Sequence, residues 1–381
     1  MLFLDVLSEW PKARVAELIA SRTPADVERA LSGAEMDMAA FAALISPAAA
    51  PYLERMAAQA SDITRRRHGN AMFLYAPLYL SNVCHNACAY CGFSARHAIE
   101  RTTLDDGQID REMAALAQAG FRQILLLTGE APNVVGLGYL LHAADICRRH
   151  VPALDIEVWP MEVDEYRQCF DHGIAGITVY QETYDRERYA VCHPAGRKRD
   201  FAWRLQTPSR AAEAGFRRVG IGALLGLSDW RYDAFCTALH AQYLVHCHWR
   251  ASVSVSCPRL RPMAGAFQPH ETVSDAELAQ YLCALRCFGP DLALTLSTRE
   301  SAAMRDGLVR LGVTRLSAQS STAPGGYADA AAGDEQFAIH DARSLADVCA
   351  MLSRAGFDPV FKDWDEAAVR ELSDCAPLGR R

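Results

Sequence analysis

The chain has 381 residues and a mass of 41.9 kDa, and its 46 acidic residues outnumber its 39 Lys and Arg, for a formal net charge of −7. Half of the residues are hydrophobic, which is enough to bury a sizeable core and excludes both a disordered protein and a stapled mini-protein. The acidic balance and the lack of long runs of like charge exclude a basic surface for nucleic acid.

The cysteine content predicts a reducing compartment. Thirteen cysteines are too few for a disulfide scaffold of this length, and an odd number cannot all pair within the chain. We therefore expect a cytoplasmic protein. The first residues, Met1 to Val6, lack the features of an export signal, and no long uncharged apolar stretch predicts a membrane span or a membrane partner.

Residues 1–70 have the pattern of an N-terminal helical extension. They are rich in Ala, Leu, Glu and Arg at helical spacing. Thr23-Pro24-Ala25-Asp26 has the order of an N-cap, a proline at the first helical position and a capping acid. The extension either covers the rest of the protein or binds a partner.

Beyond residue 70, short apolar runs alternate with longer amphipathic stretches, which is typical of repeated βα units. Eight runs are predicted strands: Leu74–Ser81, Gln123–Leu127, Asp155–Val158, Gly176–Val179, Arg218–Ala223, Ser252–Val255, Ala293–Leu296 and Val313–Ala318. The predicted helices between them include Gln108–Ala119, Asp164–His172, Tyr232–Val245 and Ser274–Phe288. This order predicts an α/β protein with a (β/α)8 barrel of the TIM type over residues 71–320. A doubly wound sheet is the alternative.

Residues 321–381 form a predicted C-terminal extension that packs on the barrel. It contains a loop around Gly325-Gly326-Tyr327, a helix near Leu345–Ala355 that Gly356 ends, and a frayed tail from Glu371. In a barrel of this type the active site lies at the C-terminal ends of the strands, so the chemistry is expected in the loops that follow them.

The sharpest motif is Cys84-His85-Asn86-Ala87-Cys88-Ala89-Tyr90-Cys91, directly after the first predicted strand. Three thiolates are soft ligands that can hold a [4Fe–4S] cluster and leave its fourth iron open, whereas structural zinc takes four protein ligands. Two alternatives remain: a zinc site completed by His85 or His97, and three inert buried cysteines.

Two other motifs have the look of metal sites. Cys283 and Cys287 lie at positions i and i+4 of a predicted helix, and His246-Cys247-His248 places three donors in sequence. Neighbours one and two apart on a helix point in different directions, and the cysteine pair has no further donor nearby in sequence. We predict core packing for the cysteines and no chelate at either motif.

The spacing of the cysteine motif, with an aromatic residue before the last cysteine, resembles the radical S-adenosylmethionine (SAM) superfamily. The resemblance implies a [4Fe–4S] cluster held by Cys84, Cys88 and Cys91. It also implies that SAM chelates the open iron through its amino and carboxylate groups. The motif by itself says nothing about the substrate.

Further segments narrow the resemblance to the 2-iminoacetate synthases, the tyrosine lyases of thiamine biosynthesis. It extends from about Pro77 to Asp365. The segments that carry it are Pro77–Asn82, Cys91–Ser94, Leu127–Glu130, Val179–Tyr184, Gly222–Leu227, Pro258–Pro262, Ser297–Glu300, Pro324–Tyr327 and Lys362–Asp365. Most of these segments coincide with predicted strand ends.

The resemblance implies cleavage of the Cα–Cβ bond of L-tyrosine to 2-iminoacetate (dehydroglycine) and p-cresol. In the chemistry of the family, the reduced cluster passes one electron to SAM, and the resulting 5′-deoxyadenosyl radical abstracts a hydrogen from the tyrosine amino group. A flavodoxin or ferredoxin as reductant and a thiazole synthase as recipient of the product are also implied. A barrel suits this chemistry because it keeps solvent away from a radical.

The resemblance assigns the SAM contacts to residues near the strand ends. Tyr90 is expected to abut the adenine, and the turn at Gly129 and Glu130 to receive the methionyl amino group. Glu182 is expected to accept hydrogen bonds from the ribose hydroxyls, and Arg204 to bind the SAM carboxylate. Each assignment has a plainer alternative. These are surface packing for Tyr90, a simple turn at Gly129, an exposed loop acid for Glu182 and a surface ion pair for Arg204.

Ser297 and Arg299 end the seventh predicted strand. An arginine at that place inside a barrel needs an anionic partner, so we predict that the pair binds the carboxylate of the amino-acid substrate. Arg259 and Arg261 are further candidates, with structural ion pairing as the default. Trp159 is bulkier than expected for the family, and the substrate pocket is in doubt if its ring points into the barrel.

Related lyases and non-catalytic barrels are the competing hypotheses. The tyrosine lyase of hydrogenase maturation carries further cluster cysteines in a C-terminal extension, whereas this chain ends at Arg381 with only Cys375 in its tail. The tryptophan lyase of thiopeptide biosynthesis lacks such an extension and is the enzyme alternative. The non-enzyme alternatives are a barrel with structural zinc and a cluster carrier that binds no SAM.

Overall fold

Nine strands form one sheet in the part of the chain that the computed structural model describes, residues 2–33, 36–262, 267–328 and 333–362. The strands are β1 (Ala71–Ser81), β2 (Gln123–Thr128), β3 (Ala153–Glu157), β4 (Ile174–Glu182), β5 (Arg218–Ala223), β6 (Ser252–Ser256), β7 (Ala293–Leu296), β8 (Arg315–Ser317) and β9 (Asp358–Val360). From β2 to β8 each strand pairs in parallel with the next, and β1 pairs with both β8 and β2, which closes the ring. The (β/α)8 barrel is confirmed and the doubly wound sheet is wrong.

All eight predicted strands are present, with differences at their ends. β4 runs on to Glu182 instead of ending at Val179, because the polar residues at the rim still pair with β5. The additional strand β9 pairs in parallel with the start of β1 outside the ring. It has only three residues and a proline, so it has no alternating pattern by which to predict it.

The helices lie outside the ring. They are α1 (Phe3–Ser8), α2 (Lys12–Ala20), α3 (Pro24–Leu31), α4 (Met38–Leu44), α5 (Leu53–His68), α6 (Asp106–Ala119), α7 (Leu137–Cys147), α8 (Val163–Asp171), α9 (Arg186–Cys192), α10 (Phe201–Leu205), α11 (Thr207–Glu213), α12 (Trp230–Cys247), α13 (Asp275–Phe288), α14 (Ala302–Leu308) and α15 (Leu345–Ala355). Of the helices described, none is both long and apolar enough to cross a bilayer.

The N-terminal helices cover one side of the barrel. The Gln280 side chain on α13 donates hydrogen bonds of 2.9 Å to the carbonyls of Leu44, the last residue of α4, and Ser46, two residues later. Arg231 on α12 donates to the Ile45 carbonyl at 3.0 Å. Of the two roles left open by the sequence, the structure therefore shows the covering one. The predicted cap of α3 is confirmed, since Thr23 and Asp26 form a reciprocal capping box.

The chain after β8 returns across the C-terminal end of the barrel. The Tyr327 hydroxyl donates to the Pro77 carbonyl of β1 at 2.5 Å, which fastens this segment over the rim. Helix α15 has the predicted bounds and ends at Gly356, whose φ of +84° favours glycine. The expectations for residues 363–365, Glu371 and Cys375 concern positions that lie outside the described residues.

A buried ion pair joins this segment to the barrel, and we expect the protein to be less stable without it. The Arg305 guanidinium on α14 and the Asp341 carboxylate are both fully buried and paired. We expect Asp341→Asn to lower the free energy of unfolding by about 3–5 kcal/mol, because the buried guanidinium loses its counter-charge. Urea unfolding measures this. The control Asp164→Asn, in an exposed pair with Arg167, should cost under about 1 kcal/mol, and equal losses would contradict the expectation.

Candidate active site

A cavity opens at the C-terminal end of the barrel. The space between its walls, with the open mouth included, is about 870 Å³. Its wall combines strand ends and the loops that follow them. Five of the predicted site residues line it: Tyr90, Cys91, Glu182, Ser297 and Arg299.

Residues 82–105, between β1 and α6, form a loop that contains the three cysteines and is here called the cysteine loop. Its backbone hydrogen-bonds to the neighbouring elements. His85 N donates to the Glu130 carbonyl at 2.9 Å, and Ala89 N donates to the Cys192 carbonyl at 3.0 Å. Arg101, which no sequence motif marks, donates 2.7 Å hydrogen bonds to the carbonyls of Asn82, Phe93 and Ser94. These contacts fix the loop that presents the three thiols.

Gly129, at the end of β2, is where the cysteine loop passes closest. A Cβ at this position would lie 2.8 Å from the Val83 carbonyl carbon and 2.9 Å from Cys84 Cβ, and would overlap the Val83 oxygen. The family resemblance assigns this glycine the task of admitting a bound ammonium. In the structure the glycine admits the cysteine loop itself, so any side chain here would displace the loop.

Glu130 is held beside the loop by Asn86. The Asn86 side-chain amide donates to the Glu130 carboxylate at 2.7 Å, and its carbonyl oxygen accepts from Lys198 N at 3.0 Å. One asparagine therefore joins the cysteine loop, the end of β2 and the turn that carries Lys198. Glu130 itself is half-buried.

The three thiols are close enough to influence one another. Burial raises the pKa of Cys88 to about 12, and the sulfurs of Cys91 and Cys84 add to the rise against the nearby Lys198 ammonium. Such thiols become ligands when a cationic centre compensates their charge, as a cluster does. Among the described residues no group of three His, Cys, Asp or Glu is placed to hold a single metal ion.

The C-terminal segment also touches the cysteine loop. Gln336 lies between the two, and its amide nitrogen donates to Cys91 Sγ at 3.6 Å. Its side-chain oxygen accepts from the Tyr79 hydroxyl at 2.7 Å, and its backbone carbonyl accepts from Gly92 N at 3.0 Å. A segment more than two hundred residues away in sequence thus completes the wall of the cavity beside Cys91.

Tyr90 is buried, so surface packing is the wrong interpretation for it. Its hydroxyl lies 2.8 Å from His193 Nε2, and His193 Nδ1 lies 2.8 Å from the Tyr189 carbonyl. Since a carbonyl only accepts, Nδ1 carries the proton and Nε2 accepts from Tyr90. Burial lowers the pKa of His193 to about 3, which keeps the ring neutral. The sequence did not identify His193, because no local motif marks it.

His193 therefore positions Tyr90, and its replacement tests the adenine contact that the family resemblance assigns to Tyr90. We expect His193→Phe to weaken SAM binding about tenfold, because the buried Tyr90 hydroxyl loses its acceptor. Equilibrium binding of SAM to the reconstituted protein measures the change. His246→Phe, at an exposed position on α12, is the control. Equal SAM affinity in both variants would contradict the positioning role.

Glu182 and Arg204 are buried and belong to one charged cluster with Lys198. Lys198 Nζ lies 2.7 Å from Glu182 Oε1, and an Arg204 Nη2 lies 3.7 Å from the same oxygen. Although burial opposes it, the Lys198 and Arg204 charges hold the pKa of the Glu182 carboxyl below its ordinary value. The alternatives of an exposed loop acid and a surface ion pair are both wrong. The sequence pattern did not mark Lys198 as a member of this cluster.

The backbone at Glu182 is unusual. Its φ is +71°, and the pairing of β4 with β5 shifts register between Tyr180 and Glu182. A bulge of this kind re-aims a side chain at the rim of a barrel, and strained backbone is characteristic of functional sites. Arg204 lies behind Glu182 on α10, where its Nε donates to the Tyr180 carbonyl at 2.7 Å.

Arg299 extends into the cavity. Its guanidinium stacks on the Phe337 ring, with Cζ 3.3 Å from the centroid, and it forms no ion pair with a described carboxylate. Burial lowers the pKa of this arginine, because the charged guanidinium has lost its contact with water. Ser297 lies beside it, and its hydroxyl accepts from Arg299 N at 3.4 Å. The pair is available for an anionic ligand.

The other arginine candidates have protein partners. Arg259 and Arg261 both pair with the buried Glu300 carboxylate, so the default of structural pairing is confirmed. Trp159 packs in the core and lines a separate groove with Trp203, outside the barrel cavity. The doubt about the substrate pocket is thereby removed.

The two further metal-like motifs lie apart from this cavity. Cys283 and Cys287 are buried in the core of α13, as predicted. His246 and Cys247 are exposed at the end of α12, and no group of donors able to hold a metal occurs there among the described residues.

Comparison with known proteins agrees with this geometry. Residues 78–237 match the model of the radical SAM superfamily, and residues 256–358 match the Biotin and Thiamin Synthesis associated domain. The chain is 45% identical to 2-iminoacetate synthase of Salmonella typhimurium and 44% identical to that of Escherichia coli, over 94% of each chain. The crystal structure of the [FeFe]-hydrogenase maturase HydG from Carboxydothermus hydrogenoformans has a TM-score of 0.82 and 30% identity, covering 95% of this chain and 82% of that one.

The barrel and its three-cysteine loop define a radical SAM enzyme, which uses a [4Fe–4S] cluster and SAM. Within that class, the chain belongs to the 2-iminoacetate synthase family. The resemblance inferred from the motifs is therefore confirmed, and the alternative of a non-catalytic barrel is wrong.

Proposed function

We propose that this chain cleaves the Cα–Cβ bond of L-tyrosine to 2-iminoacetate and p-cresol, for thiazole formation in thiamine biosynthesis. The observation that carries the substrate class is the Arg299 guanidinium, which extends into the cavity near Cys91 without a described carboxylate partner. A planar guanidinium matches the carboxylate of an amino acid. Family membership supports the choice of tyrosine.

Cys84, Cys88 and Cys91 would hold the cluster. When bound, the cluster and SAM supply a radical that abstracts a hydrogen atom from the substrate. The side chains of this protein provide the surroundings: Gly129 and Asn86 keep the cysteine loop against the end of β2, and the enclosing strands exclude water from the reacting atoms.

The SAM contacts follow from the charged cluster and the rim. We assign the adenine contact to Tyr90, the methionyl amino contact to Gly129 and Glu130, the ribose contact to Glu182 and the SAM carboxylate contact to Arg204. The support for Glu182 is its ionised carboxylate on the cavity wall, which can accept from hydroxyls. Arg204 lies behind that carboxylate, so its contact requires the ligand to reach past Glu182.

The substrate contacts are assigned to Ser297 and Arg299, which bind the carboxylate of tyrosine. Tyr75, Tyr79 and Tyr180 line the same cavity and offer an aromatic wall for the side chain. Within this arrangement the substrate carboxylate is fixed at β7, on the opposite side of the ring from β3.

The test is a product assay. The anaerobically reconstituted protein is supplied with dithionite and SAM, and with tyrosine or tryptophan in parallel reactions. We expect 5′-deoxyadenosine and p-cresol with tyrosine, detected by mass spectrometry, and no cleavage of tryptophan. Cleavage of tryptophan with no p-cresol from tyrosine would assign the chain to the tryptophan alternative and contradict the proposal.

The partners and the domain limits are also proposals. The chemistry needs a one-electron donor, for which we propose a flavodoxin or ferredoxin, and a recipient for a reactive imine, for which we propose a thiazole synthase. A cytoplasmic location fits both. We propose the division into an N-terminal helical extension over 1–70, a barrel over 71–320 and a C-terminal extension over 321–381.

A further inference from the structure

Glu157 is a carboxylate in the cavity that neither the motifs nor the contacts above use. It is the last residue of β3, and its side chain lines the same cavity as Arg299, Ser297 and Glu182. In the sequence it follows Asp155 and Ile156 in a short strand, and no motif marks it. Its surroundings in the barrel give it a chemical role.

Charged and titratable groups face Glu157 from several elements. They are Tyr75 and Tyr79 on β1, Tyr180 and Glu182 on β4, Lys198, Arg204 on α10, and Arg299 after β7. Burial raises the pKa of Glu157 to about 7, and the Glu182 carboxylate adds to the rise against Lys198, Arg299 and Arg204. A carboxyl group so tuned takes up a proton near neutral pH, which an ordinary one does not.

The neighbouring groups on the cavity wall are poorer proton acceptors. The Glu182 carboxylate is held ionised by Lys198 and Arg204. Burial raises the pKa of Tyr75 to about 12 and those of Tyr79 and Tyr180 well above their ordinary values, so these hydroxyls stay protonated. Among these groups Glu157 is the one suited to exchange a proton with the substrate.

The reaction requires such an acceptor, and this step of the argument rests on the proposed function. The nitrogen of zwitterionic tyrosine carries three hydrogens, whereas the nitrogen of 2-iminoacetate carries one. If one hydrogen leaves as an atom, the other must leave as a proton. The ammonium group is joined through one carbon to the carboxylate that Arg299 binds, and Glu157 faces Arg299 across the same cavity, close enough for their charges to interact.

We propose that Glu157 is the base that takes a proton from the α-ammonium group of tyrosine. One N–H bond breaks and one O–H bond forms, and the electron pair of the broken bond remains on nitrogen. Ammonium and carboxylate thereby become neutral amine and carboxylic acid. The step is a proton transfer, so it consumes no oxidant or reductant.

The first test compares variants of the reconstituted enzyme. We expect Glu157→Gln to lower the rate of tyrosine-dependent p-cresol formation by about 100-fold or more, since the amide cannot accept the proton. Formation of 5′-deoxyadenosine should stay within about threefold, because SAM cleavage does not use this group. Glu157→Asp, which keeps a carboxylate, should recover part of the activity. Glu100→Gln, at an exposed carboxylate on the rim, is the matched control.

The pH dependence supplies a readout that a structural role would not give. In the wild type, kcat/KM for tyrosine should rise as pH increases through about 7, because only ionised Glu157 accepts a proton. For Glu157→Gln, kcat/KM should not rise with pH in this range. p-Cresol formation by Glu157→Gln within about threefold of wild type, with an unchanged pH profile, would overturn the proposal.

Proton release on binding tests the proposal without relying on a variant. Near neutral pH a share of the Glu157 side chains carries a proton, which the arriving ammonium would displace. Calorimetry of tyrosine binding to the oxidised holoenzyme with SAM, in buffers of different ionisation enthalpy, should show net release of protons at pH 7 and less release at higher pH. Zero release in the wild type would overturn the proposal. A wild type that makes no p-cresol would contradict the proposed function itself. That result is distinct from failure of the Glu157 proposal, because it is obtained before any variant is compared.

Discussion

Replacing Arg299 by glutamine is expected to lower kcat/KM for tyrosine about 100-fold or more. The guanidinium is the cavity cation without a described carboxylate partner, and its removal deletes a charge-assisted, bidentate contact worth about 3 kcal/mol or more. The kcat/KM of Arg299→Lys should lie between the values of Arg299→Gln and the wild type, because lysine restores the charge but not the planar guanidinium. Kinetics of p-cresol formation at varied tyrosine concentration measure the effect.

Two comparisons make the Arg299 result specific. Reductive cleavage of SAM in the absence of tyrosine should remain within about threefold of wild type, since the residue acts on the substrate. Arg96→Gln, at an exposed arginine on the cysteine loop, should leave tyrosine kinetics unchanged. A kcat/KM for Arg299→Gln as high as that of Arg96→Gln would rule out a carboxylate contact.

The Gly129→Ala variant is expected to lose its cluster. The added methyl group overlaps the Val83 carbonyl and lies 2.9 Å from Cys84 Cβ, and both atoms belong to backbone-anchored parts of the cysteine loop. We expect at least about half of the iron to be lost after reconstitution, and the free energy of unfolding to fall by about 1–3 kcal/mol. Iron analysis, absorbance near 400 nm and urea unfolding measure the two effects.

Gly138→Ala is the matched control for this substitution. Gly138 lies in α7, and a Cβ built there meets no atom within 4 Å. Alanine should be neutral or stabilise the helix by up to about 1 kcal/mol, with full cluster content. Equal iron content in the two alanine variants would show that the close approach at Gly129 does not control the loop.

The fold and the cluster loop were predictable from the sequence because their signals are local. The period of the apolar runs indicates the barrel, and the spacing of Cys84, Cys88 and Cys91 indicates the cluster, without any information on contacts between distant residues. Strand β9 was missed because three residues with a proline have no periodicity, although pairing with β1 stabilises them in the folded chain.

Most of the missed site residues depend on contacts between distant segments. His193 contacts Tyr90, more than a hundred residues earlier, and Gln336 reaches Cys91 from the segment that follows β8. Lys198 lies in a run of surface-like basic residues, so only its contact with Glu182 reveals its place. Glu157 ends a short strand without a recognisable motif, and its properties come from the groups around it rather than from its own sequence.

Several of the residues that we propose as cofactor contacts are joined to one another by hydrogen bonds. Asn86 connects Glu130 to the turn of Lys198, and Lys198 connects that turn to Glu182. The cysteine loop, the residue after β2 and the end of β4 therefore form one hydrogen-bonded unit. Changes at any of its members should affect cluster loading and SAM binding together.

The most direct test of the central claim is the ratio of products in single-turnover reactions of the wild type. With excess dithionite, one equivalent of SAM and excess tyrosine, we expect equal amounts of 5′-deoxyadenosine, p-cresol and 2-iminoacetate, the last measured as glyoxylate after hydrolysis. The excess reductant is needed because the 4-hydroxybenzyl fragment takes up one further electron and one proton to become p-cresol. Equal amounts would show that each hydrogen abstraction leads to one Cα–Cβ cleavage. Formation of 5′-deoxyadenosine with no p-cresol, from a fully loaded cluster, would contradict the assignment of this barrel as a tyrosine lyase.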